Sequence, residues 1–478
     1  MTANPAGSTS NLDGELARRL SGLVMGPEHP DFDEARRIYN GLMDQTPALI
    51  ARPADEQDVS EVVRFATEHE LELAVRCTGH HIQGFATCDG GIVLDLQDLN
   101  QIVVDGQRGT VRIGGGCVMG DVNDTTLAQG VITNGGTYDS VGVGGLFLGG
   151  GVNYLVRKYG YACDNILGAR LVTADGSVIE VDADSEPELL WALRGAGHGF
   201  GVVTEIEARA HPAPPEILAG WLLYDIESAP EVLRFMRDYV VDLPDELFMD
   251  LWIFTIESEV YHLPAELDGK LALGITIVYL GDAEQGEREV AVLRERFPVI
   301  GDSLAATRYG DLRVRGNDTG GWNRRGLVNF WKSEYLPGLP DEVIDGILET
   351  AQGLNPGSDF YLLPIQGRMT EQPDGGAAYG GRTPGWMIQI EGIWPDHEDP
   401  GRDRIAWMQG EHERVIAPHG LGCGYQNATM YETPERMRNL FGEEAVARLN
   451  ALKQRLDPDH VFHRNMQDLI WDSGGGAS

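Results

Sequence analysis

Residues 142–151 (GVGGLFLGGG) contain six glycines, and this density restricts what the chain can fold into. Glycine loses more conformational entropy on folding than any other residue, so such a segment is costly unless its backbone must pass close to another group. A flat cofactor would require this close approach, and tight packing of two backbones is the alternative. The composition favours the cofactor and leaves packing open.

A second segment, residues 76–84 (RCTGHHIQG), follows the apolar run 71–75 and precedes the β-type run 91–96. It is therefore predicted to be a loop between two strands. Glycine in such a loop lets the backbone approach a phosphate, and successive amides can cradle the anion. His80 stands where a flavin ring could be covalently anchored. The alternative is that His80 is an ordinary turn residue.

The chain has 478 residues, more than one hydrophobic core usually serves, so two domains are expected. The character of the sequence changes near Ala213-Pro214-Pro215, after which strands are longer and tryptophan and tyrosine are more frequent. Short elements return after about Gly424. We therefore predict a first domain over residues 1–212, a second over 213–424 and a C-terminal segment over 425–478.

Local patterns predict several elements. Apolar spacing indicates amphipathic helices over residues 33–43 and 442–456. Asp55 is expected to cap the helix that follows it, because a carboxylate at this position can accept a bond from a free amide of the first turn. The glycine- and serine-rich residues 473–478 are expected to be disordered.

The formal net charge of −37 excludes broad contact with nucleic acid or an anionic membrane, because both would be repelled. No apolar stretch approaches the roughly 18 residues that span a bilayer, and the first residues lack the apolar core of a secretory signal, so a cytoplasmic location is expected.

The five cysteines are scattered without a CxxC pair. This spacing argues against a metal site and against a disulfide framework.

The chain contains no GxGxxG motif and no P-loop, so a Rossmann-type nicotinamide site has little support. What remains is a phosphate-binding, β-rich domain with a histidine in its ligand loop. With these features the chain resembles the vanillyl-alcohol-oxidase, or PCMH-type, flavoproteins and, within them, the berberine-bridge-enzyme-like group. The segments that carry the resemblance are 47–53, 76–84, 142–151, 159–165, 194–195, 200–204 and 457–462.

The resemblance implies an α+β fold. A two-part PCMH-type FAD-binding domain, with a core at about 43–212, would be joined to a substrate domain whose antiparallel sheet is covered by helices. Residues 425–478 would return to the FAD domain. FAD would be held by one covalent link, from His80 to the flavin 8α-methyl group.

The resemblance also implies which further residues contact FAD. They are Arg76, Cys77, Thr78, Gly79, His81, Gly84, Val141, Gly142, Gly144, Gly145, Gly149, Gly150, Asn165, Val202 and Asn427. Tyr138 stands where many relatives carry a cysteine that forms a second link, which is why a single link is expected. Val141 matches a position thought to gate oxygen access, where valine is typical of oxidases.

On the substrate side, residues 385–394 alternate like a strand. Gln389 and Glu391 should project from one face, because successive side chains of a strand point to opposite faces. A solvated sheet face is one interpretation, and a position over the flavin is the other. The resemblance favours the second and places Gln389 where berberine bridge enzyme has its catalytic glutamate. Glu391 could then be a general base or a counter-ion for an amine, since desolvation would raise its pKa.

Residues 425–428 (YQNA) match a family segment whose last position is often a catalytic tyrosine or histidine, and here it is Ala428. Tyr138, Tyr425 and Glu391 are therefore the candidate replacements. Trp322, Trp331 and Tyr361 are further candidates for the pocket wall, with core packing as the alternative for each.

The expected function is that of an FAD-dependent oxidase. It would transfer hydride from a C–H bond beside an amine or hydroxyl of a small-molecule substrate to flavin N5, and then reduce O2 to H2O2. A dehydrogenase or oxidative cyclase of a sugar or secondary metabolite is one alternative. A flavin-binding protein without turnover is the other.

Overall fold

The structure, a computed structural model, describes residues 12–261, 263–312, 324–399 and 402–471. Trp322 and the 473–478 tail lie outside these residues. Within them, no helix combines the length and the apolar character needed to cross a membrane.

The helices are numbered in chain order. Helices α1–α14 span Leu12–Ala17, Phe32–Ala35, Glu56–Glu68, Met119–Leu127, Val143–Leu148, Val156–Tyr159, Pro187–Ala196, Ala229–Tyr239, Ser258–Tyr261, Ala283–Arg296, Asp341–Ala351, Asp403–Glu411, Pro434–Phe441 and Glu443–Leu456. The predicted C-terminal helix is therefore confirmed as α14.

The strands are numbered in the same way. Strands β1–β10 span Leu23–Met25, Leu49–Arg52, Leu73–Arg76, Ile92–Asp95, Ile102–Asp105, Thr110–Gly114, Val131–Ile132, Ile166–Val172, Val178–Asp182 and Val202–Arg209. Strands β11–β19 span His211–Pro212, Ile217–Asp225, Leu247–Thr255, Leu271–Tyr279, Val299–Asp302, Ala305–Thr307, Val328–Leu336, Asp359–Ile365 and Gly385–Trp394.

Two larger sheets form within residues 23–209, and β7 pairs with β11 as a short two-stranded sheet. The first has the order β1-β2-β4-β3, with β2, β4 and β3 parallel. Helix α3 packs on it with Val59, Val62 and Phe65 buried, and the side chain of Asp55 caps this helix by accepting from the Asp58 amide at 3.0 Å, as predicted. The second sheet is antiparallel, with the order β5-β6-β10-β8-β9. The loop that carries His80 connects β3 to β4.

The third sheet has eight antiparallel strands, ordered β15-β12-β14-β13-β18-β19-β17, with β16 also pairing with β12. Helices α8, α10 and α11 cover one face, where Leu233 and Ile344 share a buried cluster with strand residues such as Ile388. The expected antiparallel sheet covered by helices is confirmed. Its other face is turned towards the first two sheets. The division into domains at residues 212 and 424 stays a prediction.

The predicted helix over residues 33–43 is wrong, because only Phe32–Ala35 is helical. Asn40 explains the difference: it is fully buried, and its side-chain amide donates to the carbonyls of Ile82 and Asn329 at 2.6 and 2.8 Å. The Asn329 amide in turn donates to the Asn40 side chain at 2.9 Å. These tertiary bonds hold the segment open and join the His80 loop to strand β17.

A buried cluster of charges fixes the C-terminal segment to the third sheet. Arg436 contacts Glu334 and Glu432, each at 2.6 Å, and Lys332 contacts Glu432 at 2.7 Å. Glu334 has no exposed side-chain surface, and it also accepts from the Cys423 amide at 3.1 Å. The cluster therefore sets where residues 425–428 reach the cavity described below.

Replacing Glu334 by glutamine is expected to lower the free energy of unfolding by about 3–5 kcal/mol, because it leaves the guanidinium of Arg436 buried with one fewer counter-ion. Urea unfolding followed by tryptophan fluorescence measures the change. The exposed Glu342 of α11 supplies the control, since Glu342→Gln should stay within about 0.5 kcal/mol of the unaltered protein. Equal effects of the two substitutions would contradict this role for the cluster.

Candidate active site

A cavity of about 1010 Å³ lies between the loops of the first two sheets and the open face of the third. The His80 loop, the glycine-rich segment and residues 197–203 form one wall. The open face of the third sheet forms the other wall, and residues 425–428 and 462–466 complete the lining. The volume is at the upper end of the roughly 300–1,000 Å³ common for ligand sites.

Bare backbone forms much of the first wall. A Cβ atom on Gly145 would meet no atom within 4 Å, so it would project into open space at the lining of the cavity. A Cβ on Gly142 would lie 2.4 Å from Sγ of Cys77, and one on Gly149 would lie 2.0 Å from Oδ1 of Asn427. Both interpretations of the glycine density therefore apply, because some glycines face the cavity and others allow tight packing.

His80 lines the cavity with its ring stacked on Tyr39, at 4.4 Å between ring centroids and an interplanar angle of 21°. Burial, helped by the positive charge of Arg325, lowers the pKa of His80 to about 4. The ring is therefore neutral at pH 7, and neither of its nitrogens has a hydrogen-bond partner among the described residues. A neutral imidazole with a free lone pair is a competent nucleophile.

His81 lies beside His80 but its ring is held by neighbours. Its Nδ1 accepts from the amide of Gln83 at 3.2 Å, and the ring packs against Phe85 at 4.8 Å between centroids. Burial lowers the pKa of His81 to about 3. The two histidines are therefore equally neutral, and only His80 has a free ring edge.

The structure brings most of the predicted cofactor residues to the cavity wall. Those that line it are Cys77, Thr78, Gly79, His80, His81, Val141, Gly142, Gly144, Gly145 and Asn427. The four predicted catalytic residues, Tyr138, Gln389, Glu391 and Tyr425, line it as well.

Six predicted cofactor residues do not line the cavity. Arg76 is buried and donates to Asp95 at 2.8 Å, and Val202 packs in the core of the first sheet. Asn165 donates to the carbonyls of Tyr159 and Tyr161 at 3.0 and 2.9 Å, so it holds a turn. The other three are glycines: Gly84 and Gly150 have φ above zero, and Gly149 packs against the side chain of Asn427.

Residues 425–427 bind the glycine-rich segment to the C-terminal part of the chain. The Tyr425 hydroxyl accepts from the Gly151 amide at 3.0 Å and from the Asn427 side chain at 3.2 Å. Gln426 donates to the carbonyl of Gly149 at 2.9 Å, and its own oxygen accepts from Gln467 at 2.6 Å. Burial raises the pKa of Tyr425 to about 12. These contacts favour a positioning role for Tyr425 over proton abstraction.

The open face of the third sheet presents two rows of side chains, which its register defines. In one row Phe254, Asp359, Glu391 and Trp331 stand directly opposite one another on adjacent strands. In the next row the order is Trp252, Tyr361, Gln389 and Ser333. Directly opposite side chains have Cβ atoms about 4.5–5.5 Å apart, so each row forms a continuous surface.

Glu391 is the central acid of this surface. Its Oε1 accepts a hydrogen bond from the Gln389 side chain. Burial raises the pKa of Glu391 to about 8, and burial together with the charge of Glu391 raises the pKa of Asp359 well above its ordinary range. Close to neutral pH, therefore, the two carboxyls together retain at least one proton.

Tyr138 faces these acids from the opposite wall. Burial raises its pKa well above the ordinary value, and the charges of Glu391 and Asp359 act in the same direction. The phenol therefore stays protonated and can donate a hydrogen bond. The polar side chains of strand 385–394 therefore face the cavity, and this is not a solvated sheet face.

Sequence reasoning missed three residues of this site. Asp359 and Asp250 both lie on the cavity face, and burial raises the pKa of Asp250 to about 6. Tyr39 supplies the ring under His80. The alternation of Asp359 with Tyr361 along one strand was a usable signal, but nothing local connects Asp359 to Glu391 or Tyr39 to His80.

Comparison with known proteins identifies the family of this chain. Residues 47–182 match the family model described as FAD binding domain. (R)-6-hydroxynicotine oxidase of Paenarthrobacter nicotinovorans is 32% identical over 471 residues, which cover 95% of this chain and 98% of that protein. The chain belongs to the FAD-linked oxidoreductases of the berberine-bridge-enzyme-like group.

Two solved structures illustrate the fold of this group. The crystal structure of 6-hydroxy-D-nicotine oxidase from Arthrobacter nicotinovorans has a TM-score of 0.82 at 28% identity, covering 97% of this chain and 99% of that one. Glucooligosaccharide oxidase from Acremonium strictum, described with a 6-S-cysteinyl, 8α-N1-histidyl FAD, has a TM-score of 0.82 at 23% identity. The matched region covers 95% of this chain and 98% of that one. At this identity the likeness shows the fold alone.

This FAD-linked oxidoreductase has a wall that fits its cofactor. Gly79, Gly142, Gly144 and Gly145 line the cavity, and a Cβ on Gly145 would project into open space. Backbone amides at such glycines can bind phosphate oxygens. The apolar side chains of Val141 and Leu146 also line this wall, and they would pack against a flat ring.

Replacing Gly142 by alanine is expected to abolish stoichiometric FAD binding in this oxidoreductase. The new Cβ would lie 2.4 Å from Cys77 Sγ and 2.9 Å from Thr78 Oγ1, so the His80 loop and the glycine-rich segment must move apart. The ratio of absorbance at 450 nm to that at 280 nm reports FAD content. Gly106→Ala, where a Cβ meets no atom within 4 Å, is the matched control and should bind FAD normally. Full FAD content in Gly142→Ala would show that the close packing of residues 77–78 against Gly142 is not needed for FAD binding.

Proposed function

We propose that this protein is an FAD-dependent oxidase whose flavin is bound covalently through His80 alone. It would take a hydride from a C–H bond beside an amine or hydroxyl of a small molecule and pass the electrons to O2, forming H2O2. The observation that carries the proposal is the neutral, unpaired His80 ring, which lines the same cavity as the Gln389 and Glu391 pair.

The described cavity wall offers no reactive thiol for a second link, which supports a single link. Tyr138 stands at the position where many relatives carry a second, cysteine link. Cys77 is the one thiol in the described cavity wall, and it donates to the carbonyl of Cys117 at 3.4 Å. Burial raises the pKa of Cys77 to about 12, so it remains a thiol and a weak nucleophile.

The polar groups of the third sheet support the chemical roles. Glu391 in its ionised form can accept the proton that leaves the substrate nitrogen or oxygen. Gln389 cannot accept a proton, and its amide orients Glu391 through their hydrogen bond. Tyr138 can donate to the substrate from the other side. The bound FAD supplies the hydride acceptor and the subsequent two-electron reduction of O2.

Two measurements test the proposal. Acid-precipitated protein should retain its yellow colour, and peptide mapping should place that colour on the fragment containing His80. An oxygen electrode, with a panel of amines, alcohols and sugars, should then show O2 consumption matched by H2O2. Colour released into the supernatant would refute the covalent link, and slow reoxidation of the reduced enzyme by O2 would favour a dehydrogenase.

A further inference from the structure

Two carboxyls face each other on the cavity side of the third sheet. Asp359 and Glu391 are direct cross-strand partners on β18 and β19. One oxygen of Glu391 is bonded to Gln389, whereas Oδ1 of Asp359 is buried without a hydrogen-bond partner among the described residues. Two ionised carboxyls opposite each other would destabilise the sheet, and a buried unpaired acceptor is costly as well. A retained proton relieves only the first penalty, whereas a cation between the carboxyls would offset both.

Aromatic rings surround this pair. Trp331 stands next to Glu391 in the same row, and its indole N–H is buried without a partner among the described residues. Trp252 and Tyr361 stand in the adjoining row with their ring centroids 4.4 Å apart, and Phe254 stands beside Asp359. The faces of such rings attract cations within about 6 Å of the centroid. Carboxyls and rings therefore favour the same kind of ligand.

The rest of the lining contains little positive charge. Its acids include Asp250, and its one lysine or arginine among the described residues is Arg464, which is paired with Glu72 at 2.9 Å. From other elements, Tyr39 and Tyr138 face the carboxyl pair, since the charge of Glu391 helps to raise the pKa of each hydroxyl. Tyr154 and the neutral ring of His80 line the same cavity. Among the described residues that line the cavity, no lysine or arginine is paired with Asp359 or Glu391.

We propose that the substrate of this enzyme is a cation, whose ammonium group binds between Asp359 and Glu391 against the ring of Trp331. This assignment rests on the proposed function, because it gives the substrate of that site its charge. Entry of the cation would displace the proton that the two carboxyls share. Binding would thereby ionise Glu391 and prepare it to accept the ammonium proton, which must leave before an amine can be oxidised.

Tetramethylammonium and tert-butanol are suitable probes, because they have similar shapes and only the first is charged. Neither can donate a hydride from a carbon beside a nitrogen lone pair or a carbinol hydrogen. Calorimetry on the purified protein should give a Kd for tetramethylammonium about tenfold or more below that for tert-butanol. Titrations in buffers of different ionisation enthalpy should show proton release with tetramethylammonium only.

Substitutions separate charge from shape at this site. Asp359→Asn should raise the Kd of tetramethylammonium about tenfold and leave that of tert-butanol within about twofold, because it removes a charge without changing volume. Asp396→Asn, at an exposed position just beyond β19, removes one charge outside the cavity and should change neither value. Circular dichroism shows whether the Asp359 variant is folded.

Equal affinity for the two probes in the unaltered protein would overturn the assignment, whatever the variants do. Calorimetry does not depend on flavin colour, so the two proposals fail separately. A protein with covalent flavin that oxidises neutral alcohols and ignores tetramethylammonium would retain the proposed function and lose this inference. A colourless protein that still prefers the cation would retain this inference and lose the proposed function.

Discussion

Glu391→Gln is expected to lower kcat by about 10²–10⁴-fold, the usual contribution of a positioned general base. The substitution keeps the shape of the side chain and its place beside Gln389, and it removes the only proton acceptor that the proposed reaction uses. Steady-state O2 consumption measures the loss. Glu398→Gln, an exposed change a few residues beyond the same strand, should leave kcat unchanged.

The same residue sets the expected pH dependence. Burial raises the pKa of Glu391 to about 8, so below that pH the free enzyme holds the carboxyl in its protonated, inactive form. The ratio kcat/KM should therefore rise with pH up to about 8. A cationic substrate lowers the pKa of the pair, so the rise in kcat, which reports the complex, should occur at lower pH. A Glu391→Gln variant with the same kcat and the same pH profile would exclude Glu391 as the base.

His80→Ala is expected to remove all covalently bound flavin. The His80 ring is neutral and unpaired at the cavity wall, and no thiolate is present in the described wall to replace it. After acid precipitation the pellet should be colourless, and FAD should appear in the supernatant. The spectrum of the native protein before precipitation shows whether non-covalent FAD still binds.

His81→Gln is the matched control for this experiment. Its ring is held by the Gln83 amide and by Phe85, so its loss should leave the flavin attached to the pellet. Colour lost in both variants would indicate a folding defect. Colour kept in the His80 variant would place the link on another residue.

The sequence by itself determined the features that depend on neighbours along the chain. The turn at 76–84 follows from glycines close to His80, and the helix after Asp55 follows from its cap and its apolar period. The common face of Gln389 and Glu391 follows from the two-residue period of a strand. The membership of an FAD-linked family follows from the joint presence of several short motifs.

Only the tertiary structure decided which distant residues meet. The burial of Asn40 against Ile82 and Asn329 overrode the helical period of residues 33–43. The same holds for Tyr39 under His80 and for the contact of residues 425–427 with the glycine-rich segment. Asp359 opposes Glu391 because of strand register, which the packing of a whole sheet face selects. A local pattern encodes the direction of a side chain, whereas its partner depends on the free energy of the entire packed core.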